Sequence, residues 1–263
     1  MQGINVVLSG SGTRYPIHVG ALRALDEVFD IKSVCGVSGG AIVAATYATT
    51  QDIEETQRIV LETLPGPNGL IDDRCMIDFL WSKGKKGLIK GDKLLAKFEE
   101  IFAPTFRDTK IPLYVYATNL YRRGPKIWSS VSDFDYSVAT AVRASMSYPV
   151  VFDPVIDGKE YYWDGGLLNN FPVDNYTHSP YPTVGVYISS QTSFVEIDSW
   201  KDTLTFMIDT ILESFVQEDI EDTINGAVIK VPSKGKVFDF SIDTKKAMTL
   251  MNHGYYETSL RLP

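Results

Sequence analysis

Short apolar runs alternate with amphipathic stretches along most of this chain. Short runs dominated by apolar residues are typical of buried strands, which we predict at 4–8, 33–35, 111–120, 183–189 and 227–231. Helical spacing of apolar residues, or clusters of small residues, predicts helices at 17–29, 41–50, 53–64, 93–102, 135–145, 200–217 and 244–259. Strands that alternate with helices favour a parallel sheet with helices on its faces. The pattern therefore predicts an α/β fold, a three-layer α/β/α sandwich on a mostly parallel central sheet.

Turn and cap signals fall between these elements. Asp157-Gly158 predicts a hairpin within 149–166, and the Pro/Gly cluster at 65–69 predicts a turn. Asp52 and Asp92 are predicted N-caps of the helices that follow them. Because no linker-like segment divides the chain, we expect residues 1–263 to form one domain.

Composition narrows the class of protein. The 44% hydrophobic and 22% charged content is ordinary for a globular chain. A net charge of −8 argues against nucleic-acid binding and against adsorption to anionic lipid by charge alone. Two cysteines, Cys35 and Cys75, make neither a disulfide framework nor a zinc pattern. With no signal-peptide or membrane-spanning pattern, we expect a cytoplasmic protein, and leave peripheral contact with membranes open.

Two glycine-rich turns, each joining a strand to a helix, lie in the first forty residues. The second, Gly36-Val37-Ser38-Gly39-Gly40, fits the G-x-S-x-G pattern of a nucleophile elbow. Such an elbow presents a serine hydroxyl at a helix N-terminus, and glycine neighbours tolerate its strained turn. A turn that merely packs tightly is the alternative. Ser38 is therefore a candidate nucleophile.

A nucleophilic serine needs a base. Of the three histidines, His18 is expected to be structural and His178 exposed, while His253, near the end of the last helix, is the one position that resembles a triad histidine. Asp164 is the other candidate, since it ends an aromatic strand and is followed by Gly165-Gly166. A desolvated aspartate with a raised pKa can accept the serine proton directly. An ordinary Asp-Gly turn is the alternative reading.

Several blocks in order resemble one family. They are SGSGTR (9–14), GVSGG (36–40), AVRASMSYPVVFDPV (141–155) and DGGLLNNFPV (164–173). The segments GLIKGDKL (87–94) and IPLYVYATNL (111–120) also look familiar, so the likeness covers residues 4 to about 175. The chain resembles the patatin-like phospholipases, lipid acyl hydrolases that use a Ser–Asp dyad and a variant of the α/β-hydrolase arrangement.

This resemblance implies a role for each matching residue. Ser38 would be the nucleophile and Asp164 the base, and the N–H groups of Gly10, Ser11 and Gly12 would form an oxyanion hole. It implies a phospholipid or other acyl-lipid substrate, transient contact with a membrane surface, and no metal or organic cofactor. The oligomeric state stays open.

The first block departs from the family pattern at two positions. Ser11 stands where the family usually has a glycine, and Tyr15 replaces the glycine after the basic residue, where it is bulky enough to narrow the mouth of the site. Arg14 and Gly39 are candidate substrate-binding residues. Arg14 either holds the loop, meets a lipid phosphate or forms a surface salt bridge.

One segment of the sequence is a candidate for the element that admits an acyl chain to the site. The segment 75–91 combines apolar and aromatic residues with lysines, which suits a membrane interface or a core helix followed by a basic loop.

Two other functions stay open. The first is a Ser–Asp–His carboxylesterase or acyltransferase that uses His253, and the second is a catalytically weak pseudo-hydrolase that binds acyl groups or a partner.

Overall fold

The computed structural model describes residues 1–63, 87–190, 226–234, 237–239 and 242–262, and the single positions 203 and 210. Its strands are β1 (Gln2–Leu8), β2 (Phe29–Val37), β3 (Gly87–Ile89), β4 (Leu113–Asn119), β5 (Gly124–Ser129), β6 (Val150–Phe152), β7 (Val155–Asp157), β8 (Glu160–Asp164), β9 (Thr183–Ser190) and β10 (Gly226–Ser233). Its helices are α1 (Pro16–Asp26), α2 (Gly39–Thr50), α3 (Ile53–Thr63), α4 (Asp92–Ile101), α5 (Val138–Ser145) and α6 (Thr244–Ser259). Short 3₁₀ turns cover Gly12–Arg14, Phe106–Asp108, Gly165–Leu167 and Val173–Tyr176.

One mostly parallel sheet organises the molecule, as the sequence predicts. Its strand order is β10-β9-β1-β2-β4-β8-β7, and β5 pairs with β4. The strands from β10 to β4 are parallel, whereas β5 and β8 run in the opposite direction. The short strands β3 and β6 form a separate parallel pair. Because β1, β2 and β9 point the same way, their carboxyl ends meet at one edge of the sheet, where α/β proteins bind ligands.

Side-chain alternation along the strands creates a core on each face of the sheet. Ile4, Val6 and Leu8 of β1 join the buried side chains of the helices in the larger core. The other face carries a smaller cluster, which includes Val7 and the aromatic residues Tyr116, Phe171, Tyr176 and Tyr187. The segment after Asp164 supplies part of the cover of this second face, because Phe171, Val173 and Tyr176 belong to it.

Several predicted boundaries need correction. The helix predicted over 17–29 ends at Asp26, and Phe29 begins β2, so the strand predicted at 33–35 is much longer. Gly91, with a φ of 80°, precedes α4, and Asp92 is its first residue and not the predicted cap. The sequence also missed β5, which pairs with β4 from Tyr114 to Asn119.

Other local predictions are confirmed. Asp52 caps α3 through its Oδ1 atom, which accepts hydrogen bonds from the N–H groups of Glu54 and Glu55 at 2.9 and 3.0 Å. The hairpin of β7 and β8 turns at Asp157-Gly158, where Gly158 has a φ of 61°. The predicted turn at 65–69, Cys75, residues 75–86 of the candidate interfacial segment and the helix predicted at 200–217 lie outside the described residues. None of the described helices has the length and apolar character needed to cross a membrane.

Candidate active site

Ser38 lies at a strained turn between β2 and α2. Its φ of 50° and ψ of −122° place a non-glycine residue in a region that costs on the order of 1–3 kcal/mol. The neighbouring glycines make the turn possible, since a Cβ on Gly40 would lie 2.5 Å from the carbonyl oxygens of Leu8 and Ser9. Ser38 is 9% exposed, so its hydroxyl lies at the margin of the interior.

Asp164 ends β8 beside this turn, and strand register explains the proximity. Val37, the residue before Ser38, pairs with Tyr116 of β4, while Asp164 pairs with the next residue of that strand, Ala117. Asp164 Oδ1 accepts a hydrogen bond from the Gly166 N–H at 2.8 Å. The other carboxyl oxygen, Oδ2, is buried and accepts no well-aligned hydrogen bond from the described residues.

Burial changes the acid–base behaviour of Asp164. The residue is 2% exposed, and this desolvation raises its pKa from 3.8 to about 7. The nearby Ser38 hydroxyl and the Gly166 N–H favour the carboxylate and oppose the rise in pKa. A loosely aligned contact between the serine and the carboxyl is typical of a site without substrate. Near neutral pH this carboxyl is therefore poised between its two protonation states.

The end of α5 and the turn that follows it hold both residues. The Ser38 N–H donates to the Ser145 hydroxyl at 2.8 Å, and the Asp164 N–H donates to the Ser147 carbonyl at 2.9 Å. Arg143 anchors this turn because its guanidinium donates to the Ser147 hydroxyl at 2.7 Å and to the carbonyls of Lys90, Gly91 and Asp153. Arg143, Ser145 and Ser147 were not predicted as site residues, although they lie in the AVRASMSYPVVFDPV block.

The loop after β1 faces the elbow, as the sequence predicts. One of its three predicted oxyanion donors already makes a hydrogen bond within the protein. The Gly10 N–H donates to the Asn170 carbonyl at 3.0 Å, which removes it from the predicted set of oxyanion donors. The N–H groups of Ser11 and Gly12 make no hydrogen bond to the described residues. Gly12 has a φ of 55°, and a Cβ there would lie 2.2 Å from the Val237 carbonyl oxygen.

Arg14 is buried, so the surface salt bridge considered from the sequence is wrong. It is 4% exposed and donates to the Ser11 carbonyl at 3.3 Å and to the Ser190 hydroxyl at 3.1 Å, which ties the loop to the end of β9. Tyr15 packs in the larger core, so it does not narrow the mouth of the site. Gly39 allows the two glycine-rich turns to approach, because a Cβ there would lie 2.5 Å from Gly12 O and Ser11 Oγ.

The three histidines do not line the pocket that contains Ser38. His18 is fully buried with Nε2 2.8 Å from the Ser9 carbonyl, and burial lowers its pKa to about 3, so the ring is neutral. His253 Nε2 lies 2.7 Å from the Pro232 carbonyl, in the contact between α6 and the end of β10, and His253 does not line the pocket that contains Ser38. His178 is exposed, as predicted.

These residues surround a small pocket of about 50 Å³. Its walls include the predicted residues Gly10, Ser11, Gly12, Arg14, Ser38 and Asp164. The remaining wall residues were not predicted as site residues: Tyr148, Asn170, Tyr187, Ile188, Ser190, Val237 and Phe238. Over the described residues, no group of three or more His, Cys, Asp or Glu is arranged to hold a metal ion.

An elbow serine at the carboxyl edge of a mostly parallel α/β sheet, with a buried carboxyl beside it, defines the class of α/β proteins built around a nucleophile elbow. A family model described as patatin-like phospholipase matches residues 6–175, more than half of the chain. The chain belongs to the patatin-like phospholipase family.

Individual relatives show how far the likeness extends. The chain is 32% identical over 197 residues to protein R571 of Acanthamoeba polyphaga mimivirus, covering 69% of this chain and 64% of R571. It is 28% identical over 182 residues to lysophospholipase NTE1 of Kluyveromyces lactis, covering 67% of this chain and 12% of NTE1. The crystal structure of VipD from Legionella pneumophila aligns with 98% of this chain and 66% of VipD, at a TM-score of 0.65 and 17% identity. That alignment shows a shared fold.

Proposed function

We propose that this protein is a serine lipid acyl hydrolase, which cleaves carboxylic ester bonds of phospholipids or related acyl lipids through Ser38 and Asp164. One observation carries the proposal. A buried carboxyl with a pKa raised to about 7 lies beside a serine on a strained elbow, and both line one pocket. A base with a pKa near the working pH combines the correct protonation state with a driving force for proton transfer.

Acylation uses the Ser38 hydroxyl as nucleophile. Its Oγ attacks the ester carbonyl carbon while its proton passes to the Asp164 carboxylate, with the unbonded Oδ2 as acceptor. Negative charge develops on the former carbonyl oxygen, and the N–H groups of Ser11 and Gly12 are the donors proposed to stabilise it. When the tetrahedral intermediate collapses, the protonated Asp164 returns the proton to the leaving alkoxide. The products of this half-reaction are the free alcohol and acyl-Ser38.

Deacylation repeats these steps with water. The Asp164 carboxylate takes a proton from water as the water oxygen attacks the acyl carbon. Collapse of the second tetrahedral intermediate breaks the bond to Ser38 Oγ, which recovers a proton from Asp164. The carboxylic acid leaves and the dyad returns to its starting state. No histidine is needed, in keeping with the contact of His253 with Pro232 rather than with the pocket.

The substrate class in this proposal rests on membership of the family and on the name of one relative, lysophospholipase NTE1. The chain matches only parts of its relatives, so the headgroup and the position of the cleaved ester are left to experiment. Contact with a membrane surface is part of the same proposal, because the substrate is a lipid.

The test is release of free fatty acid from mixed phospholipid vesicles by the wild type and by Ser38→Ala, Asp164→Ala and His253→Ala. We expect the wild type and His253→Ala to be active, and the two dyad variants to lose at least about 10³-fold in kcat. Labelling of Ser38 by a fluorophosphonate probe reports the nucleophile without any choice of lipid. A Ser38→Ala variant with full activity contradicts the proposal, and loss of activity in His253→Ala would favour a triad instead.

A further inference from the structure

A hairpin turn projects from the edge of the sheet that carries the dyad. Strand register places Ser38 and Asp164 at about the level of Ala117 in β4. The strand ends at Asn119, and residues 120–123 then turn the chain back into β5. At about 3.3 Å per residue, this turn stands on the order of 10 Å beyond the dyad along the strand direction. Whatever approaches the dyad along this direction meets the turn first.

The turn between β7 and β8 lies beside it, because β8 pairs with both β4 and β7. The Leu120 N–H donates to the Tyr161 carbonyl at 3.1 Å, and Tyr161 pairs with Ile156. These three residues therefore form one row across adjacent strands. We call residues 120–123 and 156–161 the twin tips.

Large apolar side chains are exposed on the twin tips. Leu120 is 52% exposed, Tyr121 69% and Ile156 54%. Leu168, in the segment that follows Asp164, is exposed as well. Single exposed apolar residues are normal on a protein surface, but these are grouped at the edge that carries the dyad. The grouping indicates contact with an amphipathic surface.

Basic side chains accompany these apolar residues. Arg122, Arg123 and Lys159 are exposed, and the carboxylates on the tips are Asp157 and Glu160. The twin tips therefore carry a net positive charge, on a chain whose net charge is −8. Arginine and lysine bind lipid phosphates, and tyrosine favours the boundary between membrane and water. A phospholipid surface matches both the charge and the apolar character of the tips.

Hydrogen bonds hold the twin tips in shape. The Asn119 Oδ1 atom accepts a hydrogen bond from the Arg122 N–H at 3.0 Å, and the Asn119 amide donates to Glu160. The Arg122 Nε also donates to Glu160, at 2.9 Å. Arg123 has a φ of 53°, a left-handed conformation that costs a non-glycine residue about 1–3 kcal/mol. A turn that is already formed loses little entropy when it binds a surface.

We infer that the twin tips dock this protein on a phospholipid surface, where Leu120, Tyr121 and Ile156 enter the boundary and the arginines meet lipid phosphates. The docked protein presents to the lipid the edge of the sheet that carries Ser38 and Asp164. The inference rests on the proposed function and adds to it the surface that meets the membrane. Burial of a few half-exposed side chains stabilises such a contact only modestly, so we expect it to be reversible.

The experiment measures sedimentation of the protein with phosphatidylcholine vesicles, with and without phosphatidylserine. Binding is measured in the Ser38→Ala background, so that the vesicles stay intact. We expect the double variant Leu120→Ser/Tyr121→Ser to lower the partition coefficient at least about 10-fold on both kinds of vesicle, because it removes apolar area that the boundary buries. Arg123→Gln should weaken binding about 5-fold when phosphatidylserine is present. Ile156→Ser carries the test if the double variant fails to fold.

A second readout separates docking from chemistry. With Ser38 intact, the tip variants should release less fatty acid from vesicles, in parallel with their loss of binding. Hydrolysis of a short, soluble p-nitrophenyl ester should be unchanged, because none of the substituted tip residues lines the pocket that contains Ser38.

The matched control is the double variant Val131→Ser/Phe134→Ser. Both residues are exposed and apolar, but they follow β5 at the opposite edge of the sheet, where Ser129 pairs with Tyr114 near the start of β4. This variant should leave the partition coefficient unchanged.

Equal vesicle binding by the tip and control variants overturns the inference. So does a protein that cleaves the soluble ester yet does not bind vesicles. A dimer that forms without lipid and is lost in the tip variant, again without vesicle binding, would assign the tips to a second copy of this chain. These three results leave the hydrolase proposal intact. Vesicle binding that depends on the tips, together with no labelling of Ser38 by fluorophosphonate, supports the docking surface and overturns the hydrolase proposal alone.

Discussion

Asp164 shows how one residue acquires its chemistry from burial. Its sequence context, an aspartate after three aromatic residues, suggested desolvation, and the carboxyl is 2% exposed with a pKa raised to about 7. An exposed aspartate has its pKa near 3.9 and is too weak a base to accept a serine proton at neutral pH. In the proposed mechanism this burial makes Asp164 a stronger base, and it also destabilises the folded state in which Asp164 is ionised.

The first residue-scale prediction concerns pH. Asp164 accepts a proton only as the carboxylate, so kcat/KM should fall as pH drops through about 7, by about 10-fold per pH unit below that value. Steady-state kinetics with a short p-nitrophenyl ester between about pH 5 and 9 measure this profile. Activity that stays level down to about pH 5 would contradict Asp164 as a base with a raised pKa.

The second prediction separates stability from activity. The folded-state pKa of Asp164 lies above its unfolded value, so its contribution to the free energy of unfolding declines as pH rises from about 4 to about 7. Asp164→Asn removes the buried charge. The change that it causes in the free energy of unfolding should be more favourable at about pH 8 than at about pH 4, by on the order of 3 kcal/mol. Urea unfolding at the two pH values measures this difference, and hydrolysis should be abolished.

A control keeps that measurement specific. Asp135 has a side chain that is 82% exposed and forms an ion pair with Arg107, so Asp135→Asn should show no comparable gain at high pH. An equal gain in both variants would mean that general charge, and not burial of Asp164, governs the effect.

At the scale of elements, the end of α5 and the turn after it hold Ser38 and Asp164 in place. Ser145 and Ser147 bind the backbone N–H groups of Ser38 and Asp164, so one short segment sets the spacing of two residues from distant parts of the chain. Without the Ser145 hydroxyl, the Ser38 N–H loses its acceptor at a position whose φ is already strained. Ser145 is therefore a positioning residue in the proposed mechanism.

Ser145→Ala should lower kcat by about 10- to 100-fold with little change in KM, because loss of a buried hydrogen bond costs about 1–3 kcal/mol. The rate of fluorophosphonate labelling should fall in parallel. Ser130→Ala is the matched control, since the Ser130 hydroxyl also accepts a backbone N–H, from Leu113 at 3.1 Å. If the two variants lose kcat equally, Ser145 has only a structural role.

At the scale of the whole molecule, the two ends of the chain are joined by close helix packing. Gly20 of α1 faces Met251 of α6, and a Cβ on Gly20 would lie 1.8 Å from the Met251 carbonyl oxygen. Gly254 of α6 faces Ile17 in the same way, at 2.0 Å. This contact holds α6, whose N-cap is Asp243, against α1, the helix that follows the loop after β1.

Gly254→Ala should therefore destabilise the protein by about 2 kcal/mol or more, because the methyl group forces the two backbones apart. Thermal unfolding measures the loss. Gly124→Ala is the control, since the nearest atom to a Cβ there is 3.9 Å away and the expected change is small. Equal effects of the two substitutions would rule out close backbone contact as the cause.

The sequence predicted those parts of the molecule that depend on local pattern. Strand and helix periodicity gave the mostly parallel α/β sheet and most of its elements, and motif context singled out Ser38 and Asp164, which lie in one pocket. The failures occurred where tertiary contacts override local preference. Phe29 continues the apolar face of α1 yet begins β2, and the charged, proline-containing segment at 124–129 becomes β5 because the edge of β4 supplies its hydrogen bonds.

By itself, then, the sequence determined the fold class, the elbow serine and the aspartate, because each is written in residues close together in the chain. Only the tertiary structure decided which groups meet at the site. Residues far apart in the sequence meet there. The Gly10 N–H binds the Asn170 carbonyl, and the buried Arg14 binds Ser190. Ser145 and Ser147 bind the backbone of Ser38 and Asp164, and Tyr148 packs on Phe238. The physical reason is that hydrogen-bond partners and pocket walls are set by strand order and packing, which a linear pattern does not encode.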